Sequence, residues 1–356
     1  MMNHFKFYTK PDVLLHTKIR RFETKLGETV QCIKQSSALT DELKQTTAKY
    51  VVIGIPEDIG IRANHGIGGA DSVWFPFLQS FLNIQSNDFL TGENILILGH
   101  FDFNEIMLLI ESNAATADEK MEAYSHAVIG IDEEVENMVK LVTQSGKVPI
   151  LIGGGHNNSY PAIKGAAKGL HKQESIPLAQ INCINLDVRA GYRPLEGRHS
   201  GNPFRYADED GYLNKYCIIG LHENQVQQNV LLDILENPFI DFISYEDIFI
   251  HEKKNFIQAV AHATGFTEET FTGVDIDLDS IENVLSGAST PGGISMLQAR
   301  QFITFVATDA KVAYLHICEG ASILNDGRTS ADTAKLIGYL VSDFVKAHAN
   351  KYGQGE

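Results

Sequence analysis

From Tyr50 to the C-terminus, short apolar runs alternate with longer amphipathic ones, and this alternation most constrains the fold. YVVIGIP, NILILGHF, PILIGGG, INCINLDV, YCIIGLH, FTGVDIDL and AYLHICEG are too short for helices and apolar enough to be buried on both faces. Between them, His126–Gly146, Asn224–Asn237, Phe256–Gly265, Ser295–Thr308 and Thr329–Asn350 carry apolar residues at helical spacing. Buried strands alternating with helices imply parallel βαβ units and an α/β fold. In residues 1–49, Leu15, Ile19, Phe22, Leu26 and Val30 have a roughly helical spacing, so an N-terminal extension with one or two helices is expected there. No Ser/Gly-rich linker and no repeat interrupts residues 50–356, which predicts a single domain.

Composition narrows the functional classes. A net charge of −16 disfavours nucleic acid or an anionic membrane as partner and suits a small cation or a metal. No apolar run is long enough to cross a bilayer, and MMNHFKFYTKPD lacks the pattern of a secretory signal. The four cysteines, Cys32, Cys183, Cys217 and Cys318, show no paired spacing, so reduced core thiols in a cytoplasmic protein are expected.

The chemistry collects where strands end: His156 after GGG, Asp187 and Arg189 after INCINL, Asp275 and Asp277 in VDIDL, and Glu319 after HIC. In open α/β sheets ligands bind at the carboxyl ends of the strands. Each of these residues alone has a bland explanation, as a loop residue, helix cap or surface charge. The Asp275/Asp277 pair is harder to dismiss as a plain surface face. Period-2 spacing puts both carboxylates on one strand face, where they repel unless a cation or a proton intervenes. Imidazole and carboxylates from separate strands form a ligand set suited to Mn²⁺, Mg²⁺ or Zn²⁺.

In this order, GGGHNNSYP, NLDVRAG, GVDIDLDSI, TPGGIS and ICEG resemble the motifs of the ureohydrolase family, which includes arginase, agmatinase and formiminoglutamase. The likeness runs from about Val51 to the C-terminus, and PEDIGIRANHGIGGAD and RPLEGRHSGNPF are most similar to its formiminoglutamase-like branch. The resemblance implies a three-layer α-β-α arginase-like fold with a central parallel sheet of about eight strands. It also implies a binuclear manganese centre, hydrolysis of a C–N bond in a small guanidino or amidine substrate, and a homo-oligomer. By the same resemblance His156, Asp187, Asp275 and Asp277 are metal ligands. His199 is the loop histidine that moves a proton, and Glu319 faces the substrate's cationic head. Asn158, Arg193 and Arg198 are candidate contacts for the substrate, and Arg62 and Asn64 for the pocket rim.

The chain departs from the family at Gly155, where an aspartate more often stands beside the ligand histidine, and above all at one motif. Where the family has D-x-H-x-D, this sequence has Asp187-Val188-Arg189-Ala190-Gly191. Arginine stays protonated and offers no lone pair, and glycine offers only backbone, so two of six expected ligands are gone. The expectation is a centre with at most one Mn²⁺, held by His156, Asp187 and Asp275, or with none. Arg189 would then replace the second ion by bridging Asp187 and Asp277. Two functional classes follow: a binding protein with a degenerate centre and little or no hydrolysis, or an active hydrolase of linear amidines with an altered site.

Overall fold

The computed structural model describes residues 3–34 and 38–353, the side chains of 351–353 excepted. Nine strands form one sheet: β1 Phe5–Phe7, β2 Tyr50–Gly54, β3 Ile95–Phe101, β4 Val148–Ile152, β5 Ile181–Leu186, β6 Leu213–Leu221, β7 Ile240–Ser244, β8 Thr272–Asp277 and β9 Val312–Cys318. Their order is β1-β3-β2-β4-β9-β8-β5-β6-β7. All neighbours are parallel except β1, which runs antiparallel to β3. The sheet expected from the resemblance is therefore present, with one strand added from the N-terminal segment.

Helices cover both faces. Trp74–Phe81, Phe256–Phe266, Met296–Asp309 and Asp332–Gly353 pack with one apolar core. Ala117–Gln144, Ser159–Lys172, Pro203–Glu209 and Gln228–Glu236 pack with the other. The central strands β4, β5, β8 and β9 are buried throughout, as parallel strands covered on both faces must be.

Two expectations about helices need correction. The helix predicted from His126 begins at Ala117, where Thr116 and Glu119 form a capping box ahead of the apolar pattern. The N-terminal segment, expected to hold one or two helices, has three short ones among its described residues, Lys10–Leu15, Leu26–Thr29 and Leu39–Gln45. Lys10–Leu15 is helical, Ile19 and Phe22 are exposed, and Leu26–Thr29 forms a separate short helix. Asn83 fixes this loop: its Oδ1 accepts from Lys18 N at 2.7 Å and its Nδ2 donates to His16 O at 2.8 Å.

Candidate functional site

Register decides which polar groups meet. Between β8 and β9, Gly273 lies beside Tyr314, Asp275 beside His316 and Asp277 beside Cys318. Asp275 and Asp277 share a strand face but differ in depth by two residues, about 6.6 Å. Asp277 reaches a cavity at the strand ends, whereas Asp275 lies beneath its floor.

Asp275 is fully engaged. His316 Nδ1 lies 2.8 Å from its Oδ1, and Ser159 Oγ donates to the same oxygen. Tyr314 Oη at 2.6 Å and Cys183 Sγ at 3.3 Å donate to Oδ2. Burial would raise its pKa, but the bonds from His316 and Ser159 hold it below the usual carboxylate value. Gly273 makes this possible, because a Cβ there would sit 2.4 Å from the Tyr314 ring. Asp275, expected from the sequence as a metal ligand, thus sits in a hydrogen-bonded network, with His156 Nε2 3.9 Å from its Oδ1. His316 was not singled out in the sequence, because one histidine inside an apolar strand gives no sign of its partner.

Above this floor, His156 follows β4 and its Nδ1 lies 3.2 Å from Asp277 and 3.4 Å from Asp187. Burial lowers its pKa, but Cys318, Asp187 and Asp277 together raise it well above 6.5. Burial pushes the Cys318 thiol up, so that group is neutral and the two carboxylates hold the proton. Glu319 accepts from His156 N at 2.7 Å and adopts a left-handed φ of 63°. That conformation is costly for a non-glycine residue and often marks a functional position. Burial, then Asp277 and Asp279, push the Glu319 pKa well up.

Arg189 differs from expectation. Its Nη1 donates to Asp279 Oδ2 at 2.8 Å, while its backbone N donates to Asp187 Oδ1 at 2.8 Å. The guanidinium therefore pairs with Asp279 and does not bridge Asp187 and Asp277. Gly191 has φ +58°, and a Cβ there would meet the Phe204 ring at 2.6 Å. Phe204 is stacked on Tyr216 and has its ring centroid 5.4 Å from that of His156.

The remaining sequence candidates separate. Asp187, Asp277, Asp279, Glu319, His156 and Arg189 line one cavity of about 290 Å³, with Asn64 and Arg193 also on its wall. His199 instead lines a neighbouring cavity of about 790 Å³ that shares Asn64 and Arg193 with the first. The ring is held by Gly201 N on Nδ1 at 3.0 Å and by Glu196 on Nε2 at 3.2 Å, and burial lowers its pKa to about 4. Arg198 is buried, with four of its five N–H donors on Asp132, Asn202 and the Asn157 carbonyl, and it lines the larger cavity and not the smaller one. Asn158 donates to the buried Glu57 at 2.6 Å and is absent from both cavity walls. Arg193 pairs with Glu196 at 2.8 Å, and Arg62 pairs with Asp58. Glu57, not singled out in the sequence, accepts from Gly155 N, Asn158 and Ile59 N and ties the loop after β2 to the loop after β4.

The donor set does not fit a binuclear manganese centre. Asp275 is committed to other donors, Gly191 offers no side chain, and Arg189 brings a fixed positive charge. Among the described residues, the histidine, cysteine and carboxylate groups whose ligand atoms converge are His156, Asp277 and Cys318.

The fold and this cavity define a parallel α/β protein with an acidic pocket at the ends of its central strands. The arginase family model matches residues 48–342, and the chain belongs to that family. A formimidoylglutamase of Psychrobacter cryohalolentis is 25% identical over 341 residues, covering 91% of this chain and 94% of the relative. The fold superposes on a Trypanosoma cruzi formiminoglutamase solved with Mn²⁺, with TM-score 0.68, 20% identity and coverage of 92% and 99%. For the Bacillus subtilis formimidoylglutamase the values are 0.70, 14% and 94% of each chain. No helix among the described residues is long and apolar enough to cross a membrane.

Proposed function

We propose that this arginase-family protein binds a small amidine or guanidino compound, of the formiminoglutamate, agmatine or arginine type, without a binuclear manganese centre. The observation that carries this reading is the carboxylate lining of the smaller cavity. Asp187, Asp277, Asp279 and Glu319 line it with Arg189, His156 and, at the rim, an Arg193 already paired with Glu196, and burial raises the pKa values of Asp277 and Glu319, so a cation entering there would release their protons. Asp279 Oδ1 is buried without a partner, and such an acceptor costs free energy until a donor fills it. A planar cation with several N–H groups suits carboxylates arranged in this way. A volume of about 290 Å³ suits a molecule of metabolite size.

The related enzymes named above are formiminoglutamases, which supports an amidine as the ligand's head group. The proposed contacts are Glu319 and Asp279 for the cationic head and Arg193 at the rim for an anionic tail. Retained hydrolysis with one ion is the second reading, favoured by the convergence of His156, Asp277 and Cys318. A thiol in that trio suits Zn²⁺ better than Mn²⁺.

The test is calorimetric titration of chelator-treated protein with formiminoglutamate, agmatine, arginine and guanidinobutyrate, alongside product assays with added Mn²⁺ or Zn²⁺. Binding without metal and without turnover supports the proposal. Metal-dependent turnover abolished by Asp277→Ala supports the second reading.

A further inference from the structure

The loop between the helices Lys10–Leu15 and Leu26–Thr29 projects three large apolar side chains, Leu15, Ile19 and Phe22, that are 84%, 62% and 92% exposed. Lys18, Arg20 and Arg21 interleave with them, and the Arg21 guanidinium lies 4.6 Å over the Phe22 ring. Lys18 and Arg20 make no salt bridge among the described residues. The loop is not slack, because Asn83 clamps it at two points and Gln85 donates to Glu23 at 3.0 Å. A fixed basic and apolar knob on a chain of net charge −16 is a docking element.

A complementary surface lies on the other side of the molecule. One wall of the larger cavity is a stripe of the helix Ala117–Gln144: Glu122, His126, Ile129 and Glu133, at helical spacing. Ile129 is half exposed. Elsewhere in this cavity charges are already matched, Asp132 by Arg198, Glu136 by Lys164 and Glu196 by Arg193. Glu122 and Glu133 make no salt bridge among the described residues. The cleft therefore offers an apolar centre flanked by two carboxylates without a salt bridge, and the knob offers apolar side chains flanked by Lys18, Arg20 and Arg21, of which Arg20 lies near enough to Glu23 to lower its pKa.

The two features cannot meet within one molecule. The knob is clamped to Asn83 and Gln85, just beyond the helix Trp74–Phe81, which packs on one face of the sheet. The cleft is built on the helix Ala117–Gln144, which packs on the opposite face. We propose that the knob Leu15–Phe22 of one copy docks in the Glu122–Ile129–Glu133 cleft of a second copy. Such a contact uses two different surfaces: two copies that exchange knobs form a closed dimer, and a head-to-tail arrangement forms a ring where its rotation closes. Arg20 and Arg21 face Glu122 and Glu133 across the interface, and Phe22 covers Ile129. An anionic bilayer is the competing occupant for a basic and apolar loop, but the strongly negative chain as a whole would be repelled by it.

Sedimentation velocity of the full chain at micromolar concentration tests this. The wild type should sediment as a closed oligomer, and association should weaken at least tenfold in Arg20→Glu/Arg21→Glu and, separately, in Glu122→Lys/Glu133→Lys. The variant carrying all four changes restores opposite charge across the contact and should regain the wild-type mass. Its recovery also shows that the exposed substitutions left the fold intact. A monomeric wild type would overturn the proposal, as would oligomers indifferent to either charge reversal. Failure of the four-change variant to reassociate, or binding of a monomeric wild type to phosphatidylserine vesicles, would overturn it equally.

Discussion

Two aspartates on one strand face have different fates here, and the difference is depth. Asp277 meets His156 at the cavity, while Asp275 is consumed by His316, Tyr314, Ser159 and Cys183. Removing one member of a buried ion pair costs about 3–5 kcal/mol. Asp275→Ala should therefore lower stability by about that amount in chelator-treated protein, measured by urea unfolding. A metal ligand without its metal would instead be near neutral or stabilising to remove. Burial favours a protonated Glu319 in the free site, and Glu319→Gln keeps the strained backbone but cannot ionise opposite a cationic ligand. Hydrogen bonds to charged groups contribute about 1.5–3 kcal/mol, so amidine affinity should fall about tenfold to a hundredfold, with unchanged unfolding. At Gly191 an aspartate would meet Phe204, and overpacking of this kind costs about 1–3 kcal/mol. Gly191→Asp should therefore destabilise the chain, and the loss should shrink when Phe204 is shortened to leucine.

At the scale of elements, the loops after the strands are held by buried charges. Arg198 clamps the loop 193–202 to Asp132 of the helix Ala117–Gln144 and lies between Tyr160 and Tyr206. Arg198→Met should leave Asp132 buried without a partner and cost about 3–5 kcal/mol, read in a thermal or urea melt. The strands and most helices were legible from the sequence, since apolar periodicity reflects burial directly. The polar ends of the strands were legible as a place, and His156, Asp187, Asp277 and Glu319 do line one cavity. Partners were not. Arg198, His199 and Asn158 are ordinary loop residues in the sequence, and only the path of loop 193–202 sends the first two away from the carboxylates. The partner of Arg189 was likewise hidden, because Asp279 lies in a short turn past β8.

For the whole molecule, buried groups pull stability in opposite directions as pH falls: His100 and His199 refuse protons that the unfolded chain binds, while Asp132, Asp277 and Glu319 hold protons that it releases. His100 on β3 has its pKa lowered to about 4, mainly by burial and further by Lys6. Its native pKa lies below the unfolded value near 6.5, so between those values the unfolded chain binds a proton that the native state refuses. At this residue the unfolded state thus holds more protons, and the contribution of His100 to stability falls as pH drops from about 6.5 towards about 4. His199 adds a loss of the same sign in the same window. His100→Phe removes this loss, so urea midpoints of the variant should gain on those of the wild type as pH falls through the window, and a constant difference would contradict the assignment. At the same scale stands the claim that an arginase-family fold here works with its own cations in place of two metal ions. The most direct measurement is manganese content by plasma mass spectrometry after incubation with excess Mn²⁺ and removal of unbound metal. Well under one ion per chain is predicted, because Asp275 is engaged, Gly191 has no ligand and Arg189 occupies the carboxylate cluster. Two ions per chain would contradict the account and return the protein to the metal-dependent hydrolases of its family.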